Sequence, residues 1–232
     1  MKASFTVTLL KTLAWIGAIL LVWGYFQLPS GSADGASRQT LSINEEPDRI
    51  VLGWSGPVQE PMRDRLAAAL DRYKTDPRRL VLVLNSPGGS VEHGRTVVAA
   101  IRGRAIDTLV QKAGVCASMC VPIFLAGAER KADPEAYFMF HQVSLERSAK
   151  ENLKRRELTD SERAEVSEVV KIIETAVTDD FFQSDFDIRG VKPAWRAMMR
   201  RKIAGGDVWM SGQQLVDEGS GIVDSLVRTS AR

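Results

Sequence analysis

"RLVLVLNSPGGSVEHGRTVVAAIRGR", residues 79–104, decides how this 232-residue chain folds. Its first seven residues form an apolar, branched run of the kind that makes a strand buried on both faces. Ser86, Pro87, Gly88 and Gly89 are a tight glycine turn. Val91, Val97, Val98 and Ile101 then recur on the inner side of a helix.

The chain on either side repeats this alternation. "RIVLGWSGPV" (residues 49–58) reads as a buried strand stopped at Gly56 and Pro57. Pro61 opens a helix with Met62, Leu66, Ala69, Leu70 and Tyr73 at helical spacing. Downstream come a strand at 108–111, the small-residue stretch "GVCASMC" (114–120), an apolar helix at 121–128 and the strand "AYFMFH" (136–141). Strands alternating with helices predict an α/β fold with right-handed crossovers and a largely parallel sheet. From residue 158 the pattern becomes one long helix, with Thr159 and Glu162 as a capping box. Val166, Val169, Val170, Ile173, Ala176 and Val177 give it an apolar stripe suited to core or to a subunit contact. A helix at 193–202, a strand at 208–210, a helix after Ser211 and a strand at 222–227 complete the pattern.

Composition is that of an ordinary globular protein, 44% hydrophobic and 26% charged. The net charge of +2 arises from 31 basic and 29 acidic residues that are well mixed, so no basic stripe for nucleic acid stands out and no such partner is expected. Residues 12–28, "TLAWIGAILLVWGYFQL", carry no charge, follow Lys2 and Lys11, and include Trp15, Trp23 and Tyr25. They read as a membrane anchor, or as a cleaved signal peptide with Gly31 and Ala33 at the cleavage site. Both readings export the remainder, to a membrane-tethered or free periplasmic location. Residues 1–28 are thus a targeting segment, 29–47 a linker, and 48–232 the folded domain. Export places Cys116 and Cys120 in an oxidising compartment.

Hydrolytic chemistry needs a nucleophile, a base to take its proton and donors for the oxyanion. Ser118 lies between a strand and an apolar helix, where its own N–H and that of Met119 sit at a helix N-terminus. Gly89, lacking a side chain, lets a carbonyl approach the backbone closely. Of the two histidines, His93 falls on the outer part of a helix and reads as a solvated residue. His141 ends a strand one step on from the serine, where sites form in parallel sheets, and paired with Ser118 it is a credible general base.

In this order, "RIVLGWSGPV", "LVLVLNSPGG", "GVCASMC" and "FMFHQ" resemble the proteolytic subunit of Clp proteases and its exported relatives in the crotonase-like superfamily. The resemblance covers residues 48–142 and resumes at "GDVWMSGQQLVDEGSGIVDSLV". It implies a fold of repeated ββα units with a largely parallel sheet, here preceded by an N-terminal hydrophobic helix. It implies a serine endopeptidase with Ser118 as nucleophile, His141 as base and Asp207 as third triad member, and the N–H groups of Gly89 and Met119 as the oxyanion hole. It further implies a polypeptide substrate, a homo-oligomer, and neither cofactor nor metal. With no nucleotide-binding motif and export to a compartment that generally lacks ATP, no attached ATPase is implied.

Other assignments stay open on the residues. Asp179, Asp180, Asp185 or Asp187 could replace Asp207, because residues 142–206 depart from the family pattern. Cys120 stands where the family has glycine; the four-residue spacing allows a Cys116–Cys120 disulfide, two buried thiols, or a cysteine nucleophile. The alternatives in function are a non-catalytic scaffold and a serine-lysine peptidase of the signal peptide peptidase type using Lys112 or Lys131.

Overall fold

The computed structural model describes residues 39–144, 159–187 and 190–229. In chain order its strands are β1 (Thr40–Glu45), β2 (Arg49–Ser55), β3 (Arg79–Asn85), β4 (Ile106–Val110), β5 (Val115–Ala117), β6 (Arg130–Ala132), β7 (Tyr137–Phe140), β8 (Val208–Ser211) and β9 (Ser225–Leu226). Its helices are α1 (Met62–Arg72), α2 (Val91–Ile101), α3 (Cys120–Leu125), α4 (Asp160–Asp180), α5 (Pro193–Lys202) and α6 (Gly212–Asp217). The hydrophobic stretch 12–28, read as a signal or anchor helix, lies outside the described residues. Among those residues no helix is long and apolar enough to cross a membrane.

Six strands form one sheet in the order β1-β2-β3-β4-β6-β9, while β5, β7 and β8 form another. The larger sheet is parallel from β2 to β9, and only β1 runs antiparallel, against β2. The largely parallel sheet read from the sequence is therefore present. The strands that carry the serine and the histidine, however, belong to the smaller sheet. The sequence reading also misses β1, whose residues it gives to the linker. That strand is an edge with a polar pattern, five of its six residues exposed, so it lacks the apolar run that marks its neighbours. Short β6 is missed too, and the helix expected at 121–128 shrinks to α3. The last strand shortens to two residues.

Helices α1 and α2 form as their spacing requires. Met62, Leu66, Ala69 and Leu70 of α1 are buried, as are Gly94, Val97, Val98 and Ile101 of α2. They pack in one core with Ile50, Leu52 and Trp54 of β2 and Leu82 and Leu84 of β3. Each such aliphatic side chain contributes roughly 1.5–3 kcal/mol by leaving water. The predicted Thr159 and Glu162 capping box opens α4. Only Thr178 of that helix is buried, so its apolar stripe stays partly exposed, with Ala176 exposed and Val166, Val169, Val170, Ile173 and Val177 partly so.

Past α4, Phe181, Phe182 and Phe186 pack on one another. Phe140, the last residue of β7, meets Phe186 and the Trp195 ring of α5, the latter edge-on at 5.5 Å. Such pairs contribute about 0.5–1.5 kcal/mol each beyond their buried area. The aromatic cluster thus anchors the residue that immediately precedes His141. Beyond it, the Val143 N–H donates to the Thr178 hydroxyl at 3.0 Å, tying the chain after β7 to α4.

Candidate active site

Ser118 leaves β5 with φ +53°, in the left-handed region. An L-residue there costs on the order of 1–3 kcal/mol and persists only where its surroundings over-determine it. Three tethers do so. The Ser118 N–H donates to the Met139 carbonyl of β7 at 2.9 Å, and the Ser118 carbonyl accepts from the Val121 N–H at 2.9 Å. Cys116 and Cys120 are joined by a disulfide across the turn, with their Cα atoms 5.2 Å apart. Of the three fates open to these cysteines, the bridged one is present, so neither is a free nucleophile. Helix α3 starts at Cys120 with Met119 as its N-cap, so the N–H groups of Ser118 and Met119 lie at its N-terminus as expected.

The glycine turn supplies the other wall. The Val58 N–H donates to the Gly88 carbonyl and the Ser90 N–H to the Val58 carbonyl, both at 2.8 Å. This parallel bridge uses the groups flanking Gly89 and turns the Gly89 N–H to the opposite side. Among the described residues the N–H groups of Gly89 and Met119 have no hydrogen-bond acceptor. Gly88, at φ +86°, presses against the serine turn: a β-carbon on it would lie 2.5 Å from the Ala117 carbonyl oxygen and 2.7 Å from Ser118 Cβ. Gly94 plays a similar part from α2, where a β-carbon would lie 2.2 Å from Met119 Cγ. The sequence reading places Gly88 in the tight turn without this contact and misses Gly94. A glycine inside a helix costs about 1 kcal/mol relative to alanine, and Gly94 could have been flagged on that ground as a place needing space.

The histidine and the aspartate follow from register. β5 pairs parallel with β7, Ala117 opposite Met139, so Ser118 and His141 emerge from the same ends of neighbouring strands. β7 pairs antiparallel with β8, Phe140 opposite Val208. One step further along that ladder, His141 stands across from Asp207. Ser118 and His141 are partly exposed and Asp207 is exposed. Among the described residues no side-chain hydrogen bond joins these three groups, and what the structure brings together is their backbone positions.

The competing residues are engaged elsewhere. Asp185 and Asp180 hold Arg95, Asp179 holds Arg200 at 2.6 Å, and Asp187 holds Arg196 at 3.2 Å. Lys112 pairs with Glu135 at 3.0 Å. Lys131 lies on β6 of the other sheet and pairs with Glu129 at 2.6 Å and Asp107 at 3.3 Å. The Glu129 carboxylate, with Asp107 beside it, holds the Lys131 ammonium above the usual lysine range despite its partial burial. A lysine acting as base needs the opposite shift. His93 is not the solvated residue expected: it is half-buried, and its Nε2 accepts the Arg63 N–H at the start of α1 at 3.3 Å.

Known proteins are similar to this chain in sequence. The chain is 33% identical over 99 residues to an ATP-dependent Clp protease proteolytic subunit from Streptococcus mutans serotype c (strain ATCC 700610 / UA159). It is 34% identical over 99 residues to the subunit of that name from Streptococcus suis (strain 98HAH33). In each case the match covers 41% of this chain and 50% of the relative, so the chain spans about half the length of the curated relatives it matches. The Clp protease family model extends further, over residues 47–230, taking in the glycine turn, the serine turn and the strands beside them. A match of that extent makes the chain a member of the Clp protease family.

Proposed function

We propose that the chain is an exported, membrane-tethered serine peptidase that hydrolyses peptide bonds in unfolded or membrane-released polypeptide. Ser118 Oγ attacks the scissile carbonyl while His141 takes its proton, and the carbonyl electron pair moves onto oxygen between the N–H groups of Gly89 and Met119. Collapse breaks the C–N bond, His141 returns the proton to the leaving amine, and water repeats the sequence on the acyl-enzyme. Asp207 holds the imidazole in one tautomer and stabilises the imidazolium. The observation that carries this reading is the ladder of the small sheet, which sets Ser118, His141 and Asp207 at adjoining strand ends. The disulfide favours the exported location, since such bonds persist in oxidising compartments. Residues 12–28 would tether the domain, or direct it to the periplasm before cleavage. The partly exposed stripe of α4 suits contact with further copies of the chain. The proposal includes no attached ATPase.

A fluorophosphonate probe tests it. A stable adduct on Ser118 that disappears in His141→Ala is expected. Absence of labelling in every assembly state would favour the non-catalytic scaffold. Activity that survives His141→Ala but is lost in Lys112→Ala or Lys131→Ala would favour the serine-lysine dyad.

A further inference from the structure

We propose that the Cys116–Cys120 disulfide positions the nucleophile and its oxyanion donor, so that the peptidase turns over at full rate only while this bond is oxidised. The inference deepens the reading of Ser118 and Met119 given above and rests on it. The bond closes a ring in which only Ala117, Ser118 and Met119 lie between the two cysteines. Extended chain would separate residues four apart by about 13 Å. Here the two Cα atoms are 5.2 Å apart, so the bridge spans a full reversal between the end of β5 and the start of α3.

The residue at the centre of that reversal is one with no preference for it. Ser118 at φ +53° is a serine where glycine would be at ease, and two backbone hydrogen bonds are its other tethers. Without the bridge, relaxation of Ser118 toward negative φ moves Oγ and the Met119 N–H from the positions the closed ring gives them. Reduction supplies this change. Two electrons and two protons from a dithiol break the Sγ–Sγ bond and leave two thiols, while the dithiol closes to its own cyclic disulfide. Both cysteines have no exposed surface, so the exchange requires local opening, and the bond acts as a lasting brace under oxidising conditions.

The test uses the full chain in detergent. Four forms are compared: oxidised wild type, wild type unfolded and refolded in dithiothreitol, the same sample re-oxidised, and the Cys116→Ser/Cys120→Ser double variant. Peptide hydrolysis and the rate of fluorophosphonate labelling are measured, with cooperative thermal unfolding as the check on folding. A displaced reacting group or oxyanion donor costs roughly 100- to 1000-fold in rate. We expect kcat and labelling to fall by that factor in the reduced and double-variant forms, with KM changed less than about threefold. Re-oxidation should restore the wild type and leave the variant unchanged. Equal rates in oxidised and reduced protein overturn the proposal. Amide hydrogen exchange at residues 117–119 reads the positioning independently of activity: faster exchange on reduction supports it, and unchanged protection overturns it. Failure of Ser118 to label in the oxidised protein would instead strike the catalytic reading.

Discussion

The two sheets are specified by different means. In the larger, strands such as β2 and β3 pair over seven residues in continuous parallel register and bury Ile50, Leu52, Leu82 and Leu84 completely or nearly so. The smaller consists of strands of three, four and four residues, with Tyr137 and Trp209 exposed. It holds its candidate chemistry in a left-handed serine, a disulfide and the ends of its ladder. The larger sheet is stabilised by burial and can tolerate approximate chemistry at its ends. The smaller one depends on backbone geometry that a single side chain can upset, which is the usual relation between a scaffold and a site placed on it.

Substitutions can break this contrast, and the largest effect is expected at Ser118. Ser118→Gly removes the nucleophile and should lower hydrolysis by about 10⁴- to 10⁶-fold. Because glycine adopts positive φ without penalty, the same change should raise unfolding free energy by about 1 kcal/mol. Leu82→Ala in the larger sheet should do the reverse, costing about 2–5 kcal/mol of stability. Denaturant unfolding and peptide hydrolysis on the same preparations check both. Loss of stability in Ser118→Gly would contradict the strained-turn reading.

Gly88→Ala comes next. It places a β-carbon against the Ala117 carbonyl oxygen and Ser118 Cβ at a positive φ, so the serine turn must shift. Activity should fall at least about 100-fold, because displacement of about 1 Å at a reacting group costs that much. Unfolding should show a loss of more than about 1 kcal/mol. Kinetics and unfolding of this variant locate how tightly the glycine turn and the serine turn are joined.

The smallest effect belongs to the helices of the scaffold. Burial pushes the His93 imidazole below its ordinary value of 6.5, and its Nε2 accepts a hydrogen bond only when neutral. A histidine whose folded pKa is depressed contributes stability that is full above its unfolded value and is lost as pH falls through 6.5 toward the folded value. Unfolding free energy should therefore decline between pH 7.5 and 5.5, and His93→Gln should flatten that part of the profile. An unchanged slope in the variant would assign the decline to other groups.

What the sequence revealed follows the same division. The strands and helices of the scaffold were legible because apolar residues recur at their spacing, as in β3 and α2. The order of motifs identified Ser118, His141 and Asp207 as candidates, and the Cys116 to Cys120 spacing allowed the bridge. The existence of a second sheet was not legible. Its strands are about one to three residues shorter than a typical strand, and their pairing is a long-range matter of register. Polar β1 was hidden for the related reason that an edge strand needs only one hydrogen-bonded neighbour. The roles of Gly88 and Gly94 depend on what lies opposite them across the fold, which local spacing does not encode.

The measurement that most directly tests the convergence of β5, β7 and β8 is a crystal structure of the phosphonate adduct. The expected result is phosphorus on Ser118 Oγ, its oxygen 2.7–3.1 Å from the N–H nitrogens of Gly89 and Met119, roughly the span of an oxyanion hole. His141 should lie within about 2.6–3.2 Å of the adduct and of Asp207 on its other side. An adduct on another residue, or a His141 side chain directed away from Ser118, would contradict it.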